Sequence, residues 1–105
     1  MSSIVGSWRL QMKTPVGTID ADYMFEEDGG QVRGTASDGS DTVDLADVTV
    51  TSGSGGERVT WSQRITRPMR LDLEFDVTVT GDVLSGESRA GRLPRTRVTG
   101  QRSTG

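Results

Sequence analysis

Apolar and polar residues alternate along most of the chain, and turn residues interrupt the alternation at short intervals. The clearest run extends from Met69 to Val79, where every second residue is apolar and the residues between are charged or polar. A period of two is typical of a β-strand with one buried face, and no stretch shows a helical period of useful length. The pattern predicts eight strands, at about residues 6–13, 18–26, 31–37, 42–51, 58–66, 69–79, 83–89 and 95–102.

The fourth predicted strand contains a change of phase. Val43 and Leu45 share one face, but Val48 and Val50, which follow Asp47, are one step out of phase with them. An extra residue in one strand of a pair produces this shift, so we predict a β-bulge here. The bulge would either turn Asp47 inward or leave it as a solvated residue.

The links between the predicted strands are short, which decides their order in the sheet. Parallel neighbours need a crossover of about a dozen residues or more, so short links favour antiparallel up-and-down order. The pattern therefore predicts an all-β, eight-stranded antiparallel up-and-down β-barrel that forms a single domain over residues 1–105. A five- or six-stranded barrel, or an open sandwich, is the structural alternative.

The composition excludes several classes of function. The chain has no Cys and no His, which removes disulfides, thiolate metal sites and the Ser-His-Asp and Cys-His catalytic groups. Most carboxylates fall on outward strand positions, so we expect no paired-acid site, no cofactor and no metal. The chain has no apolar run long enough for a transmembrane helix and starts without the features of a secretory signal. We therefore expect a cytoplasmic protein with no membrane contact.

The charge is unevenly distributed along the chain. Residues 1–60 carry ten acids and four bases, and residues 61–105 carry five acids and eight bases. The late arginines could form a nucleic-acid patch or simply occupy the outward face of strands. The run has no interleaved aromatic residues and the net charge is −3, so we predict that no nucleic acid is bound.

Gly6-Ser7-Trp8 on the first predicted strand, together with Arg102 on the last, resembles the calycin superfamily of lipocalins and their small relatives. That superfamily carries Gly-x-Trp on its first strand and an Arg on its last strand that packs across the Trp. The stretch 79–86 also resembles a turn of small bacterial calycin-like barrels. The resemblance implies a barrel whose two chain ends are joined where Arg102 covers Trp8, with both residues in structural roles.

Up-and-down order also predicts the depth of each residue in such a barrel. If Trp8 marks a closed floor, the opposite mouth is lined by smaller residues such as Gly34, which leave room for a ligand. We expect Tyr23 and Gln63 to be the catalytic pair that orients the ligand, because buried polar groups need hydrogen-bond partners. An internal hydrogen bond is the alternative for both, and ordinary core packing is the alternative for the apolar residues. The residues expected to contact the substrate are Met12, Ala36, Trp61, Ile65, Met69 and Leu71.

A barrel of this composition suits a reaction that depends on shape and a few hydrogen bonds rather than on proton transfer. Pericyclic cyclisation of a polyene is such a reaction. The chain is similar to small bacterial calycin-like barrels, some of which act in polyketide pathways as cyclases or pericyclases that catalyse cycloadditions. The resemblance implies a cofactor-independent cyclase whose partner is an apolar, oxygenated small molecule.

Two other functions remain open from the residues. The barrel could bind or carry an apolar small molecule without chemistry. It could also be a filled barrel that acts as an interaction module through its acidic first half. The pattern leaves open whether the protein is an enzyme and whether it forms a homodimer.

Overall fold

The structure, a computed structural model, describes residues 4–14, 17–37, 42–53, 55–65, 71–91 and 93–103. These residues form one antiparallel sheet, as the alternation predicts. In the described part of the chain, no helix is long and apolar enough to cross a membrane. The strands are β1 (Gly6–Thr14), β2 (Gly17–Asp28), β3 (Gln31–Ser37), β4 (Thr42–Asp44), β5 (Ala46–Gly53), β6 (Gly56–Ile65), β7 (Leu71–Thr80), β8 (Val83–Arg89) and β9 (Thr96–Arg102).

The sheet rolls into a nearly closed barrel. Its strand order is β4-β3-β2-β1-β9-β8-β7-β6-β5, so the two outermost strands are consecutive in the chain and only Leu45 separates them. The backbone N–H of Leu45 donates to the carbonyl oxygen of Gly34 on β3 at 2.9 Å. An all-strand, nearly closed antiparallel barrel is compatible with a calycin-like fold.

The described residues form nine strands rather than the predicted eight. The predicted fourth strand is divided at Leu45, because its first part pairs with β3 and its second part pairs with β6. The division coincides with the predicted bulge: the register of β5 shifts between Ala46 and Thr49, and Asp47 has a φ of 54°. Asp47 is exposed, so the solvated alternative is correct.

The two ends of the chain meet at Trp8, which is fully buried. The Trp8 Nε1–H donates to the Ile4 carbonyl oxygen at 2.7 Å, and Arg102 Cζ lies 4.5 Å from the ring centroid. The same guanidinium donates to the Val5 carbonyl oxygen at 2.7 Å and to Asp82 Oδ1 at 2.9 Å. The predicted contact between Arg102 and Trp8 is therefore present, and it joins β1 to β9 at one end of the barrel.

Gly6 makes this close approach of Arg102 feasible. Its φ is 127°, a region that residues with a side chain rarely adopt. A Cβ atom at Gly6 would lie 2.6 Å from Arg102 Nη1. The Gly of the Gly-x-Trp pattern thus provides space for the guanidinium that covers the Trp ring.

The barrel interior is packed more fully than the small residues suggested. A Cβ atom at Gly34 would lie 2.8 Å from Leu45 Cδ1 and 2.9 Å from the ring of Phe25. The space that Gly34 leaves is therefore occupied by these two side chains rather than kept for a ligand. Gly100 shows the same effect, since Leu10 and Leu84 approach its missing side chain to about 3.0 Å.

Candidate functional site

Four aromatic rings from three strands meet in the barrel interior. Trp61 stacks on Phe75, with ring centroids 4.9 Å apart and an interplanar angle of 11°. Across the barrel, the rings of Phe25 and Tyr23 have centroids 5.3 Å and 5.8 Å from that of Trp61. We call these rings the aromatic cluster. Phe25 and Phe75 thus pack on the rings of Tyr23 and Trp61.

Tyr23 and Gln63, the two predicted catalytic residues, are hydrogen-bonded to each other. The Tyr23 hydroxyl donates to Gln63 Oε1 at 2.7 Å, and the exposed fractions of the two residues are 1% and 8%. Burial raises the pKa of the Tyr23 phenol far above its ordinary value, and the hydrogen bond to Gln63 opposes only part of that shift. Tyr23 therefore stays protonated at neutral pH, and the amide nitrogen of Gln63 retains two N–H groups as donors.

A groove of about 620 Å³ lies at the end of β6 and β7 that is opposite Trp8. We call it the mouth groove. Its lining includes the inward-facing Gln63 and Leu73, which are paired across β6 and β7. Its rim is charged and includes the exposed ion pair of Arg64 and Asp72, at 2.9 Å. The other lining residues are mostly exposed, so the groove is a polar opening in which Gln63 and Leu73 are the residues that point into the barrel.

Leu45 lies beside the aromatic cluster and close to the mouth groove. Its neighbours Asp44 and Ala46 line the groove, while Leu45 itself points inward, is half-buried and meets Phe25 over Gly34. Neither Leu45 nor Leu73 was predicted as a site residue. The change of phase at the predicted bulge was the signal that could have identified Leu45.

Trp61 carries an unusual polar atom. Among the residues that the structure describes, its Nε1 is a buried side-chain nitrogen with no hydrogen-bond partner. Trp61 is 2% exposed. Trp8, the other Trp of the chain, has an acceptor for the same atom in the Ile4 carbonyl group. The two Trp side chains therefore differ in hydrogen bonding although both are buried.

The other predicted substrate contacts are spread around the barrel. Ala36 is buried and directly opposite Tyr23 on the neighbouring strand. Met12 is 8% exposed and lies on β1. Ile65 and Leu71 pair with each other at the ends of β6 and β7, and the structure describes them through their backbone. Met69 lies outside the described residues.

The carboxylates near the site occur on the outer face of the sheet. Asp76 accepts hydrogen bonds from Arg58, which hold its pKa below the ordinary value, and Glu87 pairs with Arg95 at 3.1 Å. The buried polar residues of the described part are Gln63 and Ser88. The described interior thus contains neutral hydrogen-bonding groups and no ionised side chain.

No family model matches the chain, and neither the curated proteins nor the solved structures include a significant match. The resemblance to calycins therefore depends on Gly6, Trp8 and Arg102 and on the barrel architecture.

Proposed function

We propose that this barrel binds one neutral, apolar molecule with a carbonyl group at its mouth and acts as a cyclase that folds a polyene for cycloaddition. The observation that supports this proposal is the buried, hydrogen-bonded pair of Tyr23 and Gln63, of which Gln63 also lines the mouth groove. Gln63 is the member of the pair that lines the groove, and its amide N–H groups are the donors that a ligand carbonyl would meet first.

Tyr23 strengthens Gln63 as a donor. A hydrogen bond accepted at the amide oxygen draws electron density from the amide nitrogen, which makes its N–H groups better donors. A substrate carbonyl bound to that nitrogen becomes more electron-withdrawing toward a conjugated alkene. The alkene then reacts faster with a diene, because the hydrogen bond strengthens as negative charge develops on the carbonyl oxygen in the transition state.

Cycloaddition suits the chemistry of this interior. Two new C–C σ bonds form from π electrons of the substrate, and no proton, electron or leaving group passes to the protein. The reaction needs no acid, base or nucleophile, and the described interior contains no ionised group that could serve as one. The remaining contribution is to hold the two reacting ends close together, which the apolar walls near Leu73 and Leu45 would do.

The second candidate is a carrier barrel that binds the same class of molecule without chemistry. The aromatic cluster favours it, because rings with centroids 4.9–6.3 Å apart occupy the middle of the barrel. A ligand therefore has at most the mouth half of the interior available. A short binding site of this kind can hold a molecule without bending it into a reactive fold.

The test is incubation of the protein with a linear polyene that carries a conjugated ketone, with mass spectrometry to follow an isomeric product of equal mass. Gln63→Leu should lower the rate about tenfold, by loss of one hydrogen bond to the substrate. Tyr23→Phe should have a smaller effect in the same direction. Gln11→Leu makes the same chemical change at an exposed position of β1 and should leave the rate unchanged.

The outcomes separate the candidates. A rate above that of buffer that depends on Gln63 supports the cyclase. Binding without any gain in rate supports the carrier. Absence of binding refutes both and favours a filled barrel that acts as an interaction module.

A further inference from the structure

The indole N–H of Trp61 is buried without an acceptor. An indole nitrogen can only donate, so neither a flip nor a tautomer can satisfy it. Most buried polar groups of native proteins are hydrogen-bonded, because an unpaired group loses its bonds to water and gains none. A buried donor of this kind, in a barrel with an opening nearby, indicates a missing acceptor.

The surroundings of Trp61 explain why the protein does not supply that acceptor. The rings of Phe25 and Phe75 contact the indole, and neither offers a conventional acceptor. The third neighbouring ring belongs to Tyr23, whose hydroxyl is hydrogen-bonded to Gln63 and makes no hydrogen bond with the indole N–H. Trp8 provides a comparison within the same chain, since its Nε1 has the Ile4 carbonyl oxygen at 2.7 Å.

Trp61 and Gln63 occupy successive inward positions of β6. Residues two apart on a strand are separated by about 7 Å. Gln63 lines the mouth groove and Trp61 lies beyond its lining residues, so a molecule that enters along β6 meets the Gln63 amide first and the Trp61 indole second. Both groups are neutral donors, and the described interior has no ionised side chain to pair with a charged ligand.

We infer that the ligand of this barrel is an uncharged, mainly apolar molecule with two acceptor oxygens about 7 Å apart, one for the Gln63 amide and one for Trp61 Nε1. This inference rests on the proposed function and specifies its ligand class. Trp61 is thus a specificity-determining donor as well as an apolar wall. A ligand with a single acceptor fills one position and leaves the indole unpaired.

The experiment compares three straight-chain probes of equal length by calorimetric titration. One is a hydrocarbon, one is a ketone with its carbonyl near one end, and one is a diketone with carbonyls about 7 Å apart. Each probe is tested with the wild type, with Trp61→Phe, which keeps an aromatic ring and removes the donor, and with Gln63→Leu. The diketone should bind the wild type about tenfold more tightly than the monoketone. That advantage should disappear in Trp61→Phe.

Nuclear magnetic resonance gives a direct readout of the same bond. The chain has two Trp residues, so its spectrum contains two indole N–H signals, and Trp61→Phe identifies the relevant one. The diketone should move this signal downfield, and the hydrocarbon should not. In Trp61→Phe, loss of the affinity advantage with an unchanged Trp8 indole signal separates donor removal from a general loss of fold.

Three results would overturn the inference. Equal affinity of wild type and Trp61→Phe for the diketone, with a loss in Gln63→Leu, would refute the role of Trp61 and leave the proposed function in place. A magnetisation transfer from a long-lived water to the Trp61 indole proton in the free protein would show that water is the acceptor. Absence of binding by all three probes would refute the inference and the proposed function together.

Discussion

Trp8→Phe and Trp61→Phe make the same chemical change at two buried positions and should have very different costs. The exposed fractions of the two side chains are 0% and 2%, so both variants lose a similar buried volume. Only Trp8 loses an existing hydrogen bond, to the Ile4 carbonyl oxygen. Trp61→Phe instead removes a buried N–H that has no partner.

The structure allows the difference in unfolding free energy to be worked out. The smaller ring should cost each variant about 1–2 kcal/mol. Trp8→Phe loses about 1–3 kcal/mol more, because the Ile4 carbonyl is left without its donor. It also loses part of the cation–π attraction of Arg102, which is about 0.5–1 kcal/mol in total and is weaker toward a phenyl ring. Trp61→Phe recovers about 1–3 kcal/mol of desolvation. The expected totals are about 3–5 kcal/mol for Trp8→Phe and near zero for Trp61→Phe.

Urea unfolding measures both values, since each variant retains one Trp as a fluorescent reporter. Circular dichroism on the same samples checks that the transition is cooperative. Equal costs, or a larger cost at Trp61, would refute the reasoning. Such a result would mean that the Trp61 N–H has a partner in solution, and it would remove the main argument for a ligand acceptor at that position.

The remaining predictions concern the contact between Arg102 and Trp8, the buried phenol of Tyr23, and Leu45 near the mouth groove. Gly6→Ala should lower the free energy of unfolding by about 1–3 kcal/mol, because its Cβ would lie 2.6 Å from a guanidinium nitrogen. Gly17→Ala, with a similar φ and open space around it, should lower it clearly less. Equal losses in urea unfolding would contradict the steric argument. Because folding raises the pKa of Tyr23, the contribution of Tyr23 to stability is complete below the ordinary tyrosine pKa of about 10 and should fall by about 1.4 kcal/mol per pH unit above that value. Urea unfolding of Tyr23→Phe should lack this decline. An identical decline in both proteins would contradict the prediction. Leu45→Ala should speed uptake of the diketone probe in stopped-flow fluorescence, because Leu45 packs beside Phe25 over Gly34 and its chain neighbours line the mouth groove. Leu93→Ala, at a residue 54% exposed, should leave uptake unchanged.

The alternation of residues predicted the face of each strand because period two is a local property of the backbone. It placed Trp8, Tyr23, Phe25, Trp61 and Gln63 on inward positions, and all of them are buried. It did not predict the division of the fourth strand at Leu45, because that division follows from pairing with β3 on one side and with β6 on the other. Pairing partners are a property of the closed sheet and not of any local segment.

The inward phase also misled where a strand extends past the core. Ile19 has the correct phase to line the mouth, yet it is 46% exposed, and in the described part of the chain β3 pairs with β2 only from Asp22 onward. The phase of a residue in its strand determines the face of the sheet on which its side chain lies, whereas its burial depends on whether other side chains pack against that face. Gly34 is the converse case. Its missing side chain suggested free space in the barrel, but the side chains of Leu45 and Phe25 occupy that space.

The sequence by itself determined that the protein is built from short antiparallel strands with one apolar face. It also determined that a Trp on the first strand and an Arg on the last strand have matching phase, and that catalysis by His or Cys is excluded. Only the tertiary structure decided that Tyr23 meets Gln63 across 40 residues of chain, and that Trp61 rather than Trp8 has an unpaired indole N–H. The physical reason is that alternation is encoded within each strand, whereas a hydrogen bond across a barrel requires the whole sheet to curve and bring its distant strands together.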